Sequence, residues 1–82
     1  MTLLEEKIQN LLDADEGAHR FGLHVVEELT RTEDNWTYVI VQPTLPGIRA
    51  YDYAELLERV EQQIRKQESA NVLVLPASGD LN

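Results

Sequence analysis

Tyr53, Leu56, Leu57, Val60 and Ile64 recur at i, i+3, i+4, i+7 and i+11, one apolar stripe on a helix whose remaining surface is Glu58, Arg59, Glu61, Gln62, Arg65 and Lys66. Such a stripe needs a surface to cover. Strand-like segments stand on both sides of it: "NWTYVIVQP" (35–43) before, and "NVLVL" (71–75) after. Both are rich in β-branched and aromatic residues. A strand, an amphipathic helix and a second strand in this order predict a right-handed crossover with the two strands parallel.

The rest of the chain extends that unit. "TLLEEKIQNLLD" carries Thr2 and Glu5 at capping-box spacing. Leu4, Ile8, Leu11, Leu12 and Ala18 continue on one stripe. One helix is expected over about 3–20, weakened or broken at Gly17 and stopped at Gly22. "LHVVEEL" (23–29) reads as the first strand, and "TRTEDN" as the polar turn of a hairpin to the second. "PTLPG" forbids a continuing central strand, and Asp52, with Glu55 three positions on, is the expected cap of the long helix.

The predicted fold is α+β: a two-layer αββαβ sandwich with a three-stranded mixed sheet and both helices on one face. Residues 1–76 form the expected single domain, with 77–82 a loose tail. The pattern leaves open whether the last strand lies beside the first or the second. "TLPGI" at 44–48 resembles the T-x-P-G-C loop of the small iron–sulfur-assembly domains, the family that includes SufT and PaaD proteins. Gly22-Leu23 is similar to that family's Gly-Leu pair at strand one. The resemblance implies a shared scaffold. Ile48 stands where that family has its cysteine, and "ADEGAHR" replaces its Asp-Pro-Glu stretch, so thiol-based cluster chemistry is not implied. The helix followed by "FGLHVVEEL" is also similar in order to the N-terminal domain of the ribosome maturation factor.

Composition narrows the functional classes. The chain has no cysteine, which removes disulfides, thiolate metal sites and cysteine nucleophiles. Seven basic against fifteen acidic side chains give a formal charge of −8, opposed to binding nucleic acid, where cations must replace phosphate counterions. The first residues lack a basic n-region and an unbroken apolar run, and no stretch approaches a bilayer span. A cytoplasmic, non-membrane protein is expected.

No pattern of catalytic chemistry stands out. Ser69 and Ser78 lack a nucleophile setting. His19 and His24, near Asp15 and Glu16, match no metal motif. Glu27 and Glu28 alternate to opposite faces of the expected strand. The sequence therefore assigns no catalytic residue, metal or cofactor, and the expected protein is not an enzyme.

What it does offer is excess apolar strand surface. Trp36, Tyr38 and Ile40 alternate with Thr37, Val39 and Val41, and Leu73 and Leu75 with Val72 and Val74. Two one-sided helices can shelter only one of those faces. The expected binding surface comprises Val26, Trp36, Tyr38, Leu73 and Leu75, docking a protein partner or a second copy. An unpaired edge strand offers a second route. The alternative is a small-anion site in the loop 46–53 at the helix N-terminus, formed by Gly47, Arg49, Tyr51 and Asp52.

Overall fold

Residues 2–77 are described in the computed structural model. Thr2 and Glu5 form the capping box: the Thr2 hydroxyl accepts from the Glu5 N–H at 3.2 Å, and the Glu5 carboxylate accepts from the Thr2 N–H at 2.9 Å. Helix α1 runs from there over Leu3–Ala14. The break falls at Asp15 and not at Gly17: Asp15 has extended dihedrals, and its carboxylate accepts from the Ala18 N–H to open a separate short helix α2, Glu16–Arg20. Gly17 lies inside α2, where a Cβ would come within 3.2 Å of Leu56 Cδ1. Its missing side chain serves close helix packing.

The expected first strand is mostly absent. Only His24–Val25 form strand β1, followed by a 3-10 turn at Glu27–Leu29. Strand β2, Arg31–Glu33, occupies the segment read as a turn, and β3 spans Trp36–Gln42. The turn between them is only Asp34-Asn35, both at positive φ (48° and 70°), the geometry that matches hairpin twist. Helix α3 covers Ala50–Glu68 and strand β4 covers Val72–Pro76.

The protein is thus α+β, with a sheet of four strands among the described residues where three were expected. Strand β3 is central. Strands β1 and β2 pair antiparallel with its two ends, Val25 opposite Val41 and Arg31 opposite Tyr38. Residues 26–30 therefore stand opposite only Val39 and Ile40, and the 3-10 turn absorbs the surplus. Strand β4 pairs parallel with β3, Tyr38 opposite Leu73 and Ile40 opposite Leu75, which places it beside the second expected strand.

The core is one cluster. Ile8 and Leu12 of α1, Tyr53, Leu56, Leu57, Val60 and Ile64 of α3, and Val25, Val39, Val41, Val72 and Val74 of the strands are buried together. The Tyr53 hydroxyl donates to the Val41 carbonyl at 3.2 Å, giving its polar tip a partner inside the core. Ala77, read from the sequence as the first residue of the tail, is buried, and its N–H donates to the Val41 carbonyl at 2.9 Å. Residues 78–82 of the expected tail lie outside the described residues, as does Ser78.

Glu5 is the buried acid of α1. Beyond the cap, its carboxylate accepts from the Thr30 hydroxyl at 2.7 Å, tying the start of α1 to the chain entering β2. The backbone N–H of Thr2, helped by the Thr30 hydroxyl and outweighing the effect of burial, holds the Glu5 carboxyl below its ordinary value. A carboxyl held low in the folded chain gives up its proton more readily there than in the unfolded chain. Its contribution is complete above the ordinary carboxylate range of about 4 and is lost as pH falls through the lowered folded value. Glu5→Gln should cost about 1 kcal/mol at neutral pH, with the gap to wild type narrowing below about pH 4. Urea unfolding across pH 3–7 measures it, and a gap constant with pH would contradict this role for the charge.

Candidate functional site

The alternation of β3 and β4 divides the sheet into two unlike faces. Val39, Val41, Val72 and Val74 are buried, whereas Trp36, Tyr38, Ile40 and Leu73 are half-buried and Leu75 is 37% exposed. Pairing brings Tyr38 beside Leu73 and Ile40 beside Leu75, so four large apolar side chains form a contiguous patch. Arg31 and Glu33 border it from β2, opposite Tyr38 and Trp36. Leu29, 45% exposed, borders it from the 3-10 turn. Between that turn and the sheet lies an open hollow of about 350 Å³, lined by Glu28, Leu29, Arg31 and Ile40. A neighbouring hollow of about 450 Å³ shares Glu28 and is lined also by Val26, Glu27 and Gln42.

Two residues of the expected surface are placed differently from the rest. Val26 is half-buried at the start of the 3-10 turn, and its N–H donates to the Ile40 carbonyl at 2.8 Å. The Trp36 ring is engaged at the end of the sheet by Arg65, whose guanidinium carbon sits 5.4 Å from the ring centroid. This cation–π contact gives Trp36 a partner within the fold. Ile40 and Leu29, absent from the expected surface, belong to the patch. The alternation that selects Tyr38 also selects Ile40. Leu29 carries no such signal, because it reaches the patch only through the break in the strand.

The outer edges of β1 and β4 are covered by helix side chains. On β1, Gln9 of α1 accepts from the Val25 N–H at 2.9 Å and donates to the Leu23 carbonyl at 3.3 Å, as a neighbouring strand would. On β4, Arg65 donates to the Val72 carbonyl at 2.8 Å and Glu61 accepts from the Val74 N–H at 2.9 Å. Glu61 and Arg65 also face one another at 3.6 Å. The Thr37 N–H donates to the Asn71 carbonyl and the Ala77 N–H to the Val41 carbonyl, so the backbone of 71 and 77 points toward β3, and alternation turns 72, 74 and 76 outward. Pro76, at an outward position, has no N–H to offer. These are the usual means by which an edge is closed to another strand.

The loop 46–53 is built as a turn and helix start. The helix begins earlier than expected: Arg49, not Asp52, is the N-cap residue, without a side-chain cap bond, and Asp52 lies in the first turn. Gly47 has φ 101°, and a Cβ there would meet nothing within 4 Å. Tyr51 is 78% exposed, whereas Tyr53 two residues on is buried in the core. A hollow of about 180 Å³ beside the helix start is lined by Phe21, Ile48, Asp52, Glu55 and Arg59 among others. Asp52 and Glu55 there carry the same sign as an anionic ligand, while Arg59 is engaged by Asp15 through bonds of 2.8 and 3.1 Å.

Thr44, at the start of the same loop, is anchored at its N–H and hydroxyl to the turn at Phe21-Gly22, the hydroxyl donating to the Gly22 carbonyl at 2.8 Å. The two segments that carry the resemblance to the iron–sulfur-assembly domains are therefore neighbours in space. His24 stays beside them, its Nδ1 3.1 Å from the Gly22 carbonyl. Among the described residues no three His, Asp or Glu side chains converge as a metal site, and no helix is long and apolar enough to cross a membrane. No family model, curated protein or solved structure matches the chain, and the resemblance rests on its own residues.

Proposed function

We propose that the chain is a non-enzymatic binding module: a two-layer αββαβ sandwich whose mixed sheet has both long helices on one face and leaves the other for a protein partner or a second copy. The observation that carries this reading is the unequal burial of alternate residues along β3 and β4, with Tyr38, Ile40, Leu73 and Leu75 left accessible on one side. Four large apolar side chains in register form a patch of the kind that proteins use for association. The covered edges of β1 and β4 favour association through the face over strand addition there.

The test charges the patch without disturbing the core. Leu75→Lys, at an exposed position, should change folding stability by only about 0.5 kcal/mol. It should abolish a dimer seen by sedimentation, or the retention of a partner by the immobilised protein. A wild-type chain that remains monomeric at about 100 μM, and retains nothing that Leu75→Lys loses, counts against the reading.

A further inference from the structure

We propose, resting on the face-docking reading above, that the occupant of the open face is a cationic polypeptide segment with apolar anchors, and not a second copy of this chain. Gln9 covers the edge of β1, and Glu61, Arg65 and Pro76 close that of β4. Strand β2 offers only three exposed residues at its own edge, so the patch of Tyr38, Ile40, Leu73 and Leu75 is the surface with apolar area to bury.

Charge selects between the two kinds of occupant. Each copy carries a formal charge of −8, and a two-fold interface sets the same surface against itself. The patch is bordered by Glu33 opposite Trp36 and by Glu28 at the lip of the 350 Å³ hollow, with Arg31 offsetting one of them. Pairing two copies brings these carboxylates together along with both net charges. A Lys- or Arg-bearing segment meets the same carboxylates with opposite sign, and the long-range field of the whole molecule draws it in. The hollow is lined by the apolar Leu29 and Ile40 and by the oppositely charged Glu28 and Arg31. It has room for a branched aliphatic side chain, with a basic neighbour reaching Glu28. The recognised chemistry is therefore apolar side chains alternating with lysine or arginine.

The experiment titrates the isotopically labelled full chain with a short synthetic peptide of alternating Leu and Lys, and with its Leu/Glu counterpart, following amide chemical shifts. The Leu/Lys peptide should shift amides of Tyr38, Ile40, Leu73 and Leu75, and the Leu/Glu peptide should not. Binding should weaken about fivefold or more on raising salt from about 50 to about 500 mM, because exposed charge pairs are screened. Glu28→Lys should weaken it about fivefold, whereas Glu58→Lys, an equal change of net charge on the exposed side of α3, should leave it nearly unchanged. Equal binding of the Leu/Glu peptide at the same amides overturns the charge selection while the face-docking reading stands. A dimer that Leu75→Lys converts to monomer also overturns it, in favour of self-association. Shifts spread evenly over the surface, or equal losses from Glu28→Lys and Glu58→Lys, overturn it by showing attraction to net charge alone. Peptide binding that avoids the patch removes both this inference and the reading beneath it.

Discussion

Gly22→Ala should lower folding stability by about 2–5 kcal/mol, from two costs at one position. Gly22 has φ 64°, a left-handed backbone conformation that a Cβ disfavours. That Cβ would also stand 2.9 Å from Thr44 Cβ and 3.1 Å from its hydroxyl oxygen. Thr44 cannot simply withdraw, because its N–H and hydroxyl hold the 44–48 loop to the carbonyls of Phe21 and Gly22. An 82-residue domain has about 4–12 kcal/mol in total, so the variant should be largely unfolded at modest urea. Thr44→Gly in the Gly22→Ala background removes the steric contact but not the backbone strain. It should recover part of the loss, at the expense of the Thr44 hydrogen bond. Urea unfolding of wild type, Gly22→Ala, Thr44→Gly and the double variant separates these terms. A Gly22→Ala chain with wild-type stability would mean that the two turns are not held together as described.

The sequence already contained this contact in part. "FGL" and "TLPG" are both conspicuous as turns, but nothing in a linear pattern says that one lies on the other. The same limit recurs elsewhere. The stripe of α3 is legible because Tyr53 through Ile64 repeat at helical spacing within one continuous segment. The alternation of β3 and β4 is legible for the same reason, and it separates the valines from Tyr38, Ile40, Leu73 and Leu75. "LHVVEEL" misleads because β-branched residues favour a strand only while a neighbour is present to pair with. There the chain has three residues more than β3 can accommodate between Val25 and Arg31, and a 3-10 turn takes them up. The register that decides this is set by the Asp34-Asn35 turn, whose two residues reverse the chain and leave Arg31–Glu33 free to pair.

Side-chain partners far along the chain were hidden for a different reason. Trp36 reads as one more exposed aromatic until Arg65 is seen over its ring, and Arg65 in turn reads as helix surface until it meets the Val72 carbonyl. Gln9 is equally anonymous in sequence, although it completes the hydrogen bonding of β1. Arg65 and Gln9 are polar residues at the boundary of a helix stripe, where periodicity cannot tell solvent from a sheet edge. The consequence for function is direct. An unpaired edge strand is one expected route to association, and Gln9, Arg65 and Glu61, with Pro76, close it at β1 and β4. Beyond the short edge of β2, what remains is the face.

Asp15→Ala should cost about 2–3 kcal/mol, because one carboxylate joins two elements. It caps α2 at the Ala18 N–H and receives both bonds from Arg59 of α3, while the Asp15 backbone N–H closes α1. The cap contributes about 1 kcal/mol, and the two-point pair with the half-exposed Arg59 contributes up to about 1 kcal/mol more. The remainder reflects looser seating of Ala18 in the core beside Gly17, which packs on Leu56. Asp15→Asn keeps a capping oxygen while discarding the charge, and should cost only about 1 kcal/mol. The Arg59 guanidinium holds the Asp15 carboxyl below its ordinary value, so its share of stability, like that of Glu5, is present above about pH 4 and lost as pH falls through the lowered value. In Arg59→Ala, Asp15→Asn should then be nearly silent, since the partner that rewards the charge is gone. If Asp15→Asn costs as much in the Arg59→Ala background as in wild type, the pair across the helices contributes nothing, and the break at Asp15 is a local matter of capping alone.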